Sequence, residues 1–150
     1  MKFRFVGLLL LTILCASAWC AQQFTFTPNL IQQALDGRLQ IQMDNGTMSE
    51  QYFYVCQNNV IPQTKQLVQG TGFTIGRSGV KFAHPVHIKY TFDPAAIPAN
   101  CDPNTLRLHR LYNNRFEPQV SAVDVGNHFV AADISAPGTY AIIGDVSNPP

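Results

Sequence analysis

The strongest constraint on this chain is a spacing. Short runs that alternate apolar and polar residues recur along it, and Gly, Pro, Asn or Asp ends each one. Period-two alternation sends successive side chains to opposite faces, so each run reads as a strand with one buried face. Leu39, Ile41 and Met43 alternate with Gln40 and Gln42, and Asp44-Asn45-Gly46 turns the chain. Asn-Gly is a turn signal because both residues tolerate positive φ. Tyr52 to Cys56 is an aromatic and β-branched run, and Phe73 and Ile75 flank Thr74. The cleanest strand is Val86, Ile88, Tyr90 and Phe92 against His87, Lys89 and Thr91, stopped by Asp93-Pro94. Leu106 and Leu108 alternate with Arg107 and His109 before an Asn113-Asn114 turn. Val123 and Val125 flank Asp124. Gly126-Asn127 then turns into Phe129–Ile134, and Pro137-Gly138 into Tyr140–Ile143. Many short strands at this spacing predict an all-β chain, a single antiparallel β-sandwich of immunoglobulin-like type. The one helical signal is Asn29 to Leu35, with Asn29 as cap and Asp36-Gly37 as stop.

The first 20 residues do not fit that pattern. Lys2 and Arg4 precede an apolar run from Phe5 to Leu14, followed by small residues at Ala16, Ser17 and Ala18. A basic start, an apolar middle and a small-residue end make a secretory signal peptide over residues 1–20, cleaved after Ala18 or after Cys20. The run is too short for a membrane span, which needs about 20 apolar residues. Residues 21–150 form the expected single domain, periplasmic or secreted, and contain no second run long enough to span a membrane. About 130 residues suffice for one two-layer core.

Charge narrows the partners. The chain has 10 basic and 9 acidic residues, and losing Lys2 and Arg4 leaves 8 − 9 = −1. Nucleic-acid binding wants a basic patch, and none is present. Cys56 and Cys101 survive either cleavage. In an oxidising compartment two isolated cysteines are expected to pair, and no Cys-x-x-Cys spacing points to a metal or redox site.

Three stretches carry a family resemblance. "IQMDNGTMSEQYFYVCQ" resembles the strand, glycine loop and strand that open a ZU-type domain, the β-sandwich of zonula-occludens, netrin-receptor and ankyrin proteins. "GRSGVKFAHPVHIKYTFDP" resembles its middle. The tail, "NTLRLHRLYNNRFEPQ", "VDVGNHFVAADI" and "GTYAII", resembles the final strands of related modules in bacterial exported and surface proteins. Together they cover roughly residues 39–144. The matching residues are core and turn positions, so the resemblance implies a fold and no chemistry. Some relatives cut their own backbone at a His-Phe-Ser tripeptide before the last strand, where the serine hydroxyl attacks the preceding carbonyl. Here the aligned residues are Ala136-Pro137-Gly138, and Ser135 is out of register. The resemblance therefore implies a non-autoproteolytic member.

Candidate chemistry is sparse. His84 and His87 suggest a metal, but residues three apart on a strand face opposite ways and no third ligand is placed. Asp124 and Asp133 could face each other across the Gly126-Asn127 hairpin, although solvated positions explain them far better. No Gly-x-Ser-x-Gly elbow occurs. Asn45-Gly46-Thr47 matches the N-glycosylation acceptor pattern, and also reads simply as a turn. The aromatics are more informative. Tyr52, Phe53 and Tyr54 are consecutive, so at least one leaves the core, and Tyr112 and Phe116 flank a turn. Aromatics on a sandwich rim stack on sugars or anchor a protein, which makes Tyr52, Tyr54, Tyr112 and Phe116 the candidate binding residues. The expected function is an exported, non-catalytic module that binds protein or a surface polymer without a cofactor. A small carbohydrate-binding module is the alternative, and an enzyme is a distant third.

Overall fold

The structure is a computed structural model and describes residues 21–76 and 81–147. The expected signal peptide and the turn residues 77–80 of the family resemblance lie outside the described residues.

The chain forms a two-layer antiparallel β-sandwich. Its strands are β1 (Ala21–Thr25), β2 (Gln32–Ala34), β3 (Leu39–Met43), β4 (Tyr52–Gln57), β5 (Phe73–Ile75), β6 (Val86–Thr91), β7 (Arg107–Tyr112), β8 (Arg115–Pro118), β9 (Ser121–Asp124), β10 (Phe129–Ile134) and β11 (Gly138–Ile143). One sheet has the order β1-β4-β5-β11-β7-β8, and the other β2-β3-β6-β10-β9. Among the described residues, the only helices are 3-10 turns at Pro94–Ala96 and Pro103–Thr105. Asp93 and Asp102 cap these turns, accepting from the amides of Ala95 and Asn104 at 2.9 Å each. No helix among the described residues is long and apolar enough to cross a membrane.

Register follows from the alternation. Ile88 of β6 sits between Ile41 of β3 and Ala132 of β10, while Lys89 sits between Gln40 and Ala131. Val86, Ile88, Tyr90 and Phe92 are all buried. Facing them from the other sheet are Phe53, Val55, Phe73, Ile75, Leu108, Tyr140 and Ile142. Rings join the two layers. Phe73 stacks on Tyr90 across the core and on Tyr140 beside it, with centroids 5.7 Å apart in both cases. Each phenol finds a backbone acceptor, Tyr90 at Gly70 O (3.1 Å) and Tyr140 at Ala136 O (2.5 Å). Burial pushes both hydroxyls up in pKa, that of Tyr140 to about 12, so neither ionises at neutral pH. β11 is buried on both faces. Ala141 and Ile143 turn outward beneath Leu67, Ile61 and Phe116, which form a small second cluster.

Two expectations need correction. Asn29 to Leu35 is not helical, because Asn29, Leu35 and Asp36 have positive φ (62°, 53° and 56°) and Gln32–Ala34 pairs with β3 as an edge strand. Pairing to a buried strand overrides a weak local helix signal. The expected Cys56–Cys101 disulfide is not formed. Cys56 pairs with Thr74, and Thr74 with Thr139 at the start of β11. Cys101 bridges Val146, beyond the far end of β11. Seven residues along a strand and two strands across put them on the order of 20 Å apart, whereas a disulfide needs Cα atoms within about 7 Å. Cys101 is buried against Gly144, where any Cβ would collide with its sulfur.

The register makes a direct prediction. Ile88→Ala should cost about 2–5 kcal/mol, because Ile88 is 4% exposed in a packed layer. Lys89→Ala should cost less than about 1 kcal/mol, the Lys89 ammonium lying 4.1 Å over the Phe129 ring on the solvent side. Urea unfolding of both variants measures the difference, and equal losses would refute the register.

Candidate functional site

Antiparallel pairing decides which strand ends meet. The start of β4, the end of β5, the start of β11 and the end of β7 all lie at one end of the six-stranded sheet. Two concavities open there and share Gly76 and Pro137. The smaller, about 180 Å³, is lined by Met48, Tyr52, Phe53, Tyr54, Phe82 and Pro137, with Glu50 and Gln51 at its margin. The larger, about 730 Å³, is lined by Thr74, Lys81, Arg110, Tyr112, Pro137 and Thr139, among others.

The wall between them is built by close approach. Gly76 has φ +75°, and a Cβ there would lie 2.8 Å from Pro137 Cβ, so a side chain at this point would displace the Pro137 turn. The Gly76 amide donates to Tyr54 O (2.8 Å), which ties β5 to β4 at the mouth. Tyr140 holds the other side through its bond to Ala136 O. The rim is therefore fixed from within the core.

The cationic part of the rim comes from an interrupted row. Leu106, just before β7, and Leu108, Arg110 and Tyr112 of β7 alternate in one row; the two leucines are buried, Arg110 is half-buried and Tyr112 is exposed. Arg110 lies opposite Tyr140 on β11 and Glu117 on β8. Its guanidinium stacks 5.3 Å from the Tyr112 ring centroid and donates one long bond, Nη2 to Pro137 O at 3.4 Å. Its Nε is buried and has no hydrogen-bond partner. Among the described residues, no carboxylate is within ion-pair distance of Arg110 or Lys81. Nearby, Asn58 Nδ2 donates to Thr74 Oγ1 (3.1 Å), which also bonds Thr139 Oγ1 (2.8 Å).

The sequence-derived candidates divide. Tyr52 (43% exposed), Tyr54 and Tyr112 (50% exposed) are brought to this one end. Phe116 is not, because it packs into the outer cluster with Leu67 and Ile143. Sequence reasoning missed Arg110, Met48 and Phe82. Arg110 had left a signal, a cation in an otherwise apolar inward row, but only the strand pairing shows that the row leaves the core there. Asp124 and Asp133 do not meet. Asp124 accepts from Asn127 at 2.9 Å, while Asp133 accepts from His87 Nδ1 at 2.6 Å.

His87 sits at this same end, on the outer face of the five-stranded sheet. Asp133 holds one ring nitrogen and Asp44 lies 3.7 Å from the other. The Asp44 contact is a charge contact beyond hydrogen-bond distance, and the His87 side chain is 45% exposed. His84 lies before β6 and shares no ligand set with His87; no metal-type cluster occurs among the described residues.

The bond to Asp133 chiefly raises the His87 pKa above the ordinary 6.5, helped by the Asp133 and Asp44 charges and opposed by slight desolvation. A raised folded value favours the protonated form. The stabilisation is therefore complete below 6.5 and is lost as pH rises through the folded value. An NMR titration of the His87 ring should give a midpoint above 6.5, and Asp133→Asn should lower it. An unchanged midpoint in Asp133→Asn would remove Asp133 as the cause.

No protein-family model matches the chain, and no curated protein matches its sequence.

Proposed function

We propose that this protein is an exported, non-catalytic β-sandwich module, periplasmic or secreted, that binds a protein or cell-surface polymer at the Tyr52–Tyr112 end of its six-stranded sheet. The ZU-type resemblance over roughly residues 39–144 supports a fold used for recognition, and the antiparallel sandwich is compatible with it. The observation that carries the reading is convergence. Three tyrosines picked out in sequence as candidate binding residues gather beside an arginine that has no ion pair among the described residues. Amphipathic rings and arginine are the side chains that dominate binding energy where they cluster. The second reading, a carbohydrate-binding module, draws on Tyr52 and Tyr54, whose rings could stack on sugar faces.

Replacing Tyr52 and Tyr112 together by Ala should leave the fold intact, since both are about half exposed. The mature protein, immobilised and washed with the envelope fraction of its native cells, should retain partner at least tenfold better than the double variant. A glycan array probed with both proteins separates the polymer reading from the protein one. Equal retention by the two proteins would contradict a site at this end.

A further inference from the structure

The rim has a polarity that names its occupant more closely. The smaller concavity combines the apolar side chains of Met48, Phe53, Phe82 and Pro137 with the rings of Tyr52 and Tyr54 and the polar Glu50 and Gln51. A large apolar side chain entering it gains by burial against the apolar part. The larger concavity shares Gly76 and Pro137 with it and brings Arg110 and Lys81, neither of which is ion-paired among the described residues, although Glu117 is the cross-strand neighbour of Arg110. Arg110 Nε is a buried donor with no acceptor, next to Nη2, whose one bond is 3.4 Å long. Nε itself is shielded from any partner, but the guanidinium lines the concavity, and its Nη groups can donate side by side to a carboxylate.

Resting on the binding reading above, we infer that this end takes an extended peptide segment of a partner protein. A large apolar side chain enters the Met48–Phe82 concavity, and an acidic side chain a short step further along the segment pairs with Arg110. The groove continues past Arg110 to Leu111 and Tyr112, so the segment runs on beyond its carboxylate and is internal to the partner rather than its C-terminus. Lys81 adds long-range attraction for the same charge, and the Tyr112 ring keeps the guanidinium facing the groove.

The test uses the mature protein and fluorescein-labelled peptide pools, capped at both ends. In the first pool a leucine is fixed two residues before an aspartate, and the other positions are varied. A second pool has asparagine for the aspartate, and a third has alanine for the leucine. Fluorescence anisotropy should show the first pool binding about tenfold or more tighter than either of the others. Arg110→Gln should erase the preference for aspartate over asparagine, and the exposed Lys81→Gln should weaken it. Circular dichroism and thermal unfolding check that Arg110→Gln remains folded; if it does not, Lys81→Gln carries the test. Equal binding of aspartate and asparagine pools to the wild type would overturn the inference. Binding of uronate or neutral oligosaccharides that shifts the Tyr52 and Tyr112 NMR signals, with no peptide pool binding, would also overturn it while leaving the binding end standing. If no pool binds and no oligosaccharide shifts those signals, both readings fail.

Discussion

The structure depends on one stack of rings. Phe73 lies between Tyr90 of the opposite sheet and Tyr140 of its own, and all three are fully buried. Aromatic pairs contribute large buried areas and prefer offset contact, so this stack fixes both the distance between the layers and their lateral alignment. It also solves a polar problem. Two phenols at the centre of an apolar core would each cost free energy if unpaired, and each is satisfied by a loop carbonyl. Those carbonyls belong to Gly70 and Ala136, so the core determines where the loops before β5 and before β11 can lie.

The link from core to rim runs through the second of these loops. Ala136 is tied to Tyr140, Pro137 presses on Gly76, and Gly76 is bonded to Tyr54. A chain of contacts from the buried stack thus reaches the mouth of both concavities. Side chains at a rim held in this way have little freedom left to lose in any contact they make. Here Pro137 is a buried structural wedge between two strands.

Much of this fold was legible from alternation. The inward rows of β3, β6 and β10 stand as the period-two pattern requires, because each has one face on the core and one in solvent. The edge strands β1 and β2 were not legible. Ala21–Thr25 has one apolar ring, Phe24, and its strand character comes from pairing with β4 and from stacking of Phe24 on Phe53 at 5.2 Å. Candidate site residues were legible only singly. The sequence shows that at least one of Tyr52, Phe53 and Tyr54 must leave the core and that Tyr112 flanks a turn, but their convergence depends on strand order, which no local pattern encodes. The same limit explains the cysteines: Cys56 and Cys101 are alike in sequence context and separated by the length of a strand in space.

The most direct test of the account is an aromatic NOESY spectrum of residues 21–150 with Phe73, Tyr90 and Tyr140 assigned. With ring centroids 5.7 Å apart on both sides, Phe73 should give cross-peaks to both tyrosine rings. Cross-peaks from Phe73 to Tyr140 without any to Tyr90 would show that the two sheets do not meet as described, and would contradict both the core and the rim built upon it.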